Sequence, residues 1–97
     1  MTERSASSVI VRIPTQLRTL TSGQSEVAVD ADTVGGALKA LDGLHPGFAE
    51  RLFDEAGKLR RFVNVFVAEE DVRFLEGLDT AVADGQTVSI VPAVAGG

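Results

Sequence analysis

Few side chains in this sequence are of the types that usually carry chemistry. The chain has no cysteine, which excludes disulfides, thiolate metal sites and cysteine nucleophiles. Its one histidine, His45, precedes Pro46 at the end of a predicted helix, where a cation is favourable, so capping is a better interpretation than catalysis. The acidic residues 69–71 lack the alternating spacing of a calcium loop and are more typical of a solvated turn. We therefore predict no catalytic residue and no metal site.

The main chain offers the strongest candidate, because the sequence ends in Gly96-Gly97. A carboxylate is a poor electrophile, but transfer to AMP converts it into an acyl adenylate that a sulfur nucleophile can attack. An enzyme that makes this adenylate must enclose it to exclude water, and glycine, having no Cβ, can thread a narrow channel. We predict that Gly97 is the modified residue and that Gly96 gives access. The reach is supplied by the rest of the tail: Pro92, Ala93, Val94 and Ala95.

Size and charge narrow the class of protein. A chain of 97 residues, 44% hydrophobic and 24% charged, is expected to form one ordinary globular domain. Its net charge of −5 argues against nucleic acid or an anionic membrane as the main partner. No signal peptide or membrane span is recognised, so the cytoplasm is the expected location. The five aromatic residues are all phenylalanine, and so small an interior disfavours a self-contained enzyme with its own cofactor.

The first half of the chain predicts two strands followed by a helix. Residues 1–8 lack periodicity and are expected to form a disordered arm. Apolar residues then alternate from Val9 to Ile13 before Pro14, and again from Ser25 to Ala31. A helix is predicted to begin at Asp32-Thr33, with a polar side chain as its cap, and to end near Leu44. We expect Gly35 and Gly36 in its first turns to allow close packing on a sheet.

The second half predicts a short helix and three more strands. The helix spans residues 48–53, and the clearest strand spans residues 62–67. A turn is expected at residues 69–71, with a short strand at 72–74 after it. Asp84-Gly85 is a turn signal, and the last strand runs from Thr87 to Val91 and is halted by Pro92.

This element order predicts an α+β fold of the β-grasp type. One main helix cannot cover both faces of a four- or five-stranded sheet, so a mixed sheet should wrap around it and leave the other face solvated. The first and last strands would then lie side by side at the centre. The domain is expected to cover residues 9–92, with a flexible tail at 93–97 projecting from the sheet.

Three segments carry a resemblance to the ubiquitin-like sulfur carriers of the MoaD/ThiS family, over about residues 8–97. They are 31–35 (ADTVG), 84–88 (DGQTV) and 91–97 (VPAVAGG). Within the family, residues 58–65 (KLRRFVNV), 71–74 (DVRF) and 92–97 (PAVAGG) are similar to the CysO-type carriers of actinobacteria. Carriers of molybdopterin synthase often have a second proline where this chain has Ala93, so that role is the less favoured alternative.

The resemblance implies a carrier and not an enzyme. An E1-like enzyme would use ATP to adenylate Gly97, and the resulting thiocarboxylate would donate sulfide to a partner enzyme. For CysO-type carriers that partner is a PLP-dependent cysteine synthase, and a metalloprotease releases the cysteine; a secondary-metabolite enzyme is another possible acceptor. Two other hypotheses stay open: a protein modifier that forms isopeptide bonds through Gly97, and an inert binding module.

Strand alternation also predicts a docking surface. If Val63, Val65 and Val67 are buried, then Phe62, Asn64 and Phe66 lie on the open face of the sheet, unless the parity is reversed. We predict that this face docks the activating enzyme and the sulfur acceptor through Ile10, Arg12, Phe62, Phe66 and Val91. The basic run at residues 58–61 is either a solvated loop or a docking site for an acidic partner.

Overall fold

The computed structural model describes residues 7–92 of the chain. Five strands and two helices form the body, in the order β-β-α-α-β-β-β. The strands are β1 Ser7–Arg12, β2 Glu26–Ala31, β3 Val63–Val67, β4 Glu70–Asp71 and β5 Thr87–Pro92. The helices are α1 Val34–Leu44 and α2 Phe48–Leu52, and 3₁₀ helices span Thr15–Thr21, Val72–Phe74 and Gly77–Asp79.

The strands form one mixed sheet in the spatial order β2-β1-β5-β3-β4. β1 and β5 are parallel, whereas every other neighbouring pair is antiparallel. The prediction that the first and last strands lie together at the centre is confirmed. The sheet and the main helix have the ubiquitin-like β-grasp arrangement that the element order predicts.

The core lies between α1 and one face of the sheet. Apolar residues alternate along the strands, and the inward set is buried, including the predicted Val63, Val65 and Val67. From α1 the stripe Val34, Leu38 and Leu41 is fully buried, as its helical spacing predicts. Burying these aliphatic side chains supplies most of the favourable free energy of folding.

Polar side chains define where the two helices begin. Thr33 is the N-cap of α1, and its Oγ1 accepts a hydrogen bond from the Gly36 N–H at 3.0 Å, as predicted. Asp42 Oδ1 accepts from the N–H groups of Gly47 at 3.2 Å and Ala49 at 2.9 Å. These bonds link the end of α1 to the start of α2 and so fix the chain between them.

The expectation that Gly35 packs closely on the sheet is wrong. A Cβ there would lie 3.1 Å from the carbonyl oxygen and 3.2 Å from the Cβ of Leu78, in the 3₁₀ helix Gly77–Asp79. At Gly36 an added Cβ would lie 3.5 Å from the Ala31 Cβ at the end of β2. The absence of a Cβ at Gly35 therefore leaves space for Leu78, and at Gly36 for the end of β2.

Two strand predictions differ from the structure. β1 begins at Ser7, two residues before the predicted start at Val9. The reason is that the Ser8 N–H donates to Asp84 Oδ1 at 2.9 Å and the Gly85 N–H donates to the Ser8 carbonyl at 2.8 Å. The predicted strand at 72–74 is wrong: it is a 3₁₀ helix with Val72 fully buried. The strand after β3 is instead Glu70–Asp71, reached through a two-residue turn.

Candidate functional site

The base of the predicted reactive tail lies at the end of the central strand β5. Pro92 is the last described residue, and it is paired with Val63 of β3. β5 also pairs with β1 on its other side, so Pro92 ends the central strand of the sheet. The remaining predicted tail residues, Ala93, Val94, Ala95, Gly96 and Gly97, lie outside the described residues.

Four of the five predicted docking residues, Ile10, Arg12, Phe66 and Val91, lie on the sheet face that α1 leaves open, whereas Phe62 lies in the turn before β3 and lines a groove with Leu17, Val63 and Ile90. Strand register places Arg12 opposite Ser89, which in turn lies opposite Phe66. Val91 is opposite Asn64, and Ile10 is opposite Thr87. The alternative of reversed parity is therefore wrong.

Exposure of these side chains is uneven. Phe62, one residue before β3, is 59% exposed, and Val91 is 44% exposed. Ile10 and Phe66 are half-buried between their neighbours on the sheet. Large apolar side chains left in water near the end of β5 are typical of a surface that another protein covers.

Arg73 holds together the segment beside this face, a role that no pattern in the sequence predicts. Its Nη1 donates to Asn64 Oδ1 at 2.6 Å, and its Nη2 donates to the carbonyls of Val63 at 2.8 Å and Arg60 at 3.0 Å. One guanidinium therefore ties the 3₁₀ helix after β4 to the entry of β3. Because Val63 pairs with Pro92, this contact also supports the base of the tail.

Charged groups near the site are mostly exposed. Arg12 Nε lies 3.8 Å from Glu26 Oε2 across the β1–β2 pair, with both side chains more than half exposed. The pKa of the Asp54 carboxyl is held below its ordinary value, chiefly by a hydrogen bond from the Lys58 backbone N–H. Desolvation opposes this shift, while the Ala56 N–H and the charges of Arg60 and Lys58 add to it.

Residues 7–92 contain no cluster of three or more histidine, cysteine or acidic side chains arranged to hold a metal ion. His45 is the C-cap residue of α1, and its backbone N–H donates to the Leu41 carbonyl at 2.8 Å. None of the helices in this part of the chain has the length and apolarity needed to cross a bilayer.

Comparison with known proteins agrees with these features. Residues 11–97 match the ThiS family. The sulfur carrier protein CysO of Mycobacterium tuberculosis is 53% identical over 91 residues, which cover 92% of this chain and 98% of that protein. Small archaeal modifier protein 3 of Haloferax volcanii is 43% identical over 70 residues, 71% of this chain and 75% of that protein.

A solved structure gives the same result for the fold. In the crystal structure of the Amycolatopsis orientalis BexX/CysO complex, the matching chain is 48% identical and superposes with a TM-score of 0.87. The match covers 92% of this chain and 99% of that one. Because the family match spans most of the chain and the sheet-and-helix architecture agrees, this chain belongs to the ThiS/MoaD family.

Proposed function

We propose that the protein is a sulfur carrier whose Gly97 carboxylate is adenylated by an E1-like enzyme and converted to a thiocarboxylate. The observation that carries this proposal is the 53% identity to the sulfur carrier CysO across 92% of the chain. The family match runs to Gly97 itself. The position of Pro92 at the end of a central strand supports the proposal, since the segment that carries Gly97 begins directly after it.

The proposed chemistry needs no side chain of the carrier. A carboxylate oxygen of Gly97 attacks the α-phosphorus of ATP, and pyrophosphate leaves with the electron pair of the broken P–O bond. A sulfur nucleophile supplied by the activating system then attacks the acyl carbon, and AMP leaves with the oxygen. Sulfur remains on the carbonyl, and the body's task is to present the terminus where water is excluded.

The open sheet face is the proposed docking surface for the enzymes that load and unload the tail. Val91 is exposed on this face next to Pro92, and the exposed Phe62 lies in the adjoining turn before Val63, the partner of Pro92. The BexX/CysO complex shows that a related carrier assembles with another protein. We further propose a PLP-dependent cysteine synthase as the sulfur acceptor, with a metalloprotease releasing the product; a secondary-metabolite enzyme is the alternative acceptor.

The test is intact mass after incubation with the adenylating enzyme encoded in the same genome, ATP and a sulfur source. We expect the mass to rise by the difference between one sulfur and one oxygen atom, located at Gly97 by fragmentation. A variant with an uncleavable extension beyond Gly97 is the matched control and should stay unchanged. If the extended variant also acquires sulfur, or the unextended protein never does, the proposal fails.

A protein modifier is the second candidate function. Its specific support is the 43% identity to small archaeal modifier protein 3. In that case Gly97 would form an isopeptide bond with a lysine of another protein. The discriminating observation is a ladder of covalent adducts in lysates that disappears when Gly97 is deleted, while free thiocarboxylate is not detected.

A further inference from the structure

Basic side chains gather where β5 ends, although the chain as a whole is acidic. The net charge is −5, from nine basic and fourteen acidic residues. Around the end of β5 four basic residues line two adjacent grooves. We call them the basic collar: Arg51, Lys58, Arg60 and Arg73.

The first groove of the collar lies directly beside the base of the tail. It has a volume of about 310 Å³ and is lined by Arg51 and Arg60 together with Phe62, Val63 and Ile90. Val63 pairs with Pro92, and Ile90 precedes Pro92 by two positions on β5. Gln16 and Leu17 complete the lining, so this groove contains no acidic side chain.

The second groove is lined by the other two collar residues. It has a volume of about 370 Å³, with Lys58 and Arg73 beside Leu59 and Leu78. The Arg73 Nη2 group donates to the carbonyls of both Arg60 and Val63, which connects the two grooves. Apolar and cationic side chains therefore line both grooves.

No collar side chain forms a salt bridge with another of residues 7–92, although the charges of Arg60 and Lys58 do act on the nearby Asp54 carboxyl and lower its pKa. The side chains of Arg60 and Arg73 donate hydrogen bonds to main-chain carbonyls and to the neutral Asn64 amide, which satisfies donors without removing charge. Acidic residues do adjoin Arg60 on its far side: Glu50, Asp54 and Glu55 line a separate groove there. Asp54 is already engaged by its own turn through the Ala56 and Lys58 N–H groups.

The other end of the sheet has the opposite character. Asp84 bonds to Ser8 at the start of β1, and Glu70 pairs with Val67 at the far end of β3. Glu69 lies in the turn between β3 and β4. No lysine or arginine occurs at residues 66–70 or 79–92. Among residues 7–92, the collar therefore places four basic side chains where β5 ends, whereas the opposite end of the sheet carries acidic ones.

We propose that the basic collar docks on an acidic rim around the channel of the enzyme that receives the tail. This proposal rests on the proposed function and adds the chemistry of the partner surface. Apolar side chains such as Phe62 would provide contact area, while the collar provides orientation. A protein with net negative charge approaching an acidic rim is repelled unless it turns its cationic end forward, so steering would deliver the tail first.

The test is the kinetics of pyrophosphate release with the adenylating enzyme of the same genome. Arg51→Glu is the informative variant, because Arg51 is exposed and its side chain makes no hydrogen bond to residues 7–92. Lys39→Glu is the matched control: it changes the net charge equally, at an exposed position of α1 that lines neither groove. Thermal unfolding of both variants checks that each remains folded.

At about 20 mM salt we expect Arg51→Glu to lower kcat/KM roughly three- to tenfold with kcat unchanged, and at about 0.5 M salt the difference should largely vanish. Lys39→Glu should leave kcat/KM within about twofold of the parent under both conditions. Equal responses of the two variants, or a loss that salt does not reduce, would overturn the collar while leaving the carrier function intact. Absence of pyrophosphate release by the parent protein would overturn the proposed function and the collar together.

Discussion

At the residue scale, the most informative side chains are the two phenylalanines on either side of Asn64, Phe62 in the turn before β3 and Phe66 on the open face. Phe62 is 59% exposed and Phe66 half-buried, and neither belongs to the buried core. Exposed aromatic side chains cost solubility and are common among residues that dominate protein interfaces. Phe62 precedes Val63, which pairs with Pro92 at the end of β5, while Phe66 lies further along β3 opposite Ser89.

The combined variant Phe62→Ala and Phe66→Ala should impair docking without unfolding the protein. We expect kcat/KM for adenylation to fall by about tenfold or more, since each lost interface aromatic typically costs more than about 1 kcal/mol of binding. The midpoint of thermal unfolding should change little. The measurement is pyrophosphate release at varied carrier concentration.

Phe74→Ala is the matched control for these two substitutions. Phe74 is 86% exposed but lies in the 3₁₀ helix after β4 and not on a strand of the open face. Its removal should leave loading kinetics unchanged. Equal losses from Phe74 and from the Phe62–Phe66 pair would show that the open face has no special role in docking.

Residue patterns predicted this face correctly but not its support. Strict alternation through β3 is enough to separate Val65 from Phe66, because successive strand residues point to opposite faces. The Arg73 side chain bonds to Val63 and Arg60, which are ten and thirteen positions away, and to Asn64, which is nine positions away. No local spacing rule signals such contacts, which depend on how β4 folds back on β3.

At the element scale, the start of α1 is clamped between its own cap and the segment 77–82. The Val34 N–H donates to the Thr80 carbonyl at 2.9 Å, and the Val82 N–H donates to the Asp32 carbonyl at 2.9 Å. Leu78 is thereby held against Gly35, where an added Cβ would meet its carbonyl oxygen at 3.1 Å. This contact explains why a residue with poor helix propensity occupies the first turn.

Gly35→Ala and Gly43→Ala should therefore have effects of opposite sign on stability. Alanine favours a helix over glycine by roughly 1 kcal/mol. At Gly43 an added Cβ meets nothing within 4 Å, so the free energy of unfolding should rise by roughly 0.5–1 kcal/mol. At Gly35 the clash with Leu78 should outweigh this gain and lower stability by about 1 kcal/mol net.

Urea denaturation of the two variants measures the difference directly. Both substitutions change the unfolded chain in the same way, so each is the control for the other. If Gly35→Ala stabilises the protein as much as Gly43→Ala does, the 3₁₀ helix at Gly77–Asp79 moves freely and the clamp described above is wrong.

The elements that differ from the sequence prediction are those that form without the residues that usually indicate them. The turn between β3 and β4 uses Ala68 and Glu69, both with positive φ (52° and 72°), where glycine or asparagine is the normal indicator. Without that signal the sequence predicts a turn at residues 69–71 and a strand at 72–74, whereas the strand lies at Glu70–Asp71. In contrast, α1 has a cap, an apolar stripe and a glycine near its end, and its bounds were predicted within a residue.

At the scale of the whole molecule, the body and the tail have separate tasks. β5 pairs with β1 and β3 and also buries Val88 and Ile90 in the core, so its position depends on most of the fold. Under the proposed function, the reaction takes place at Gly97 and inside another protein. Body stability and tail chemistry should therefore respond to different substitutions.

One pair of variants tests this separation. Ile90→Val removes one buried methylene from the core and should lower the free energy of unfolding by about 1 kcal/mol. Loading of Gly97 should be unchanged at temperatures where the variant is folded. Gly96→Leu should do the reverse: the added side chain would obstruct a narrow channel and reduce loading by about tenfold or more, while stability stays within about 0.5 kcal/mol of the parent.

Thermal unfolding and thiocarboxylate formation, measured on the same two preparations, provide the comparison. The separation holds only if each variant changes one quantity and leaves the other unaltered. A loss of loading in Ile90→Val at low temperature would mean that packing beneath β5 sets the reactivity of the terminus. Reactivity at Gly97 would then depend on the packing of the sheet, and access to a narrow channel would no longer explain the glycine pair at residues 96–97.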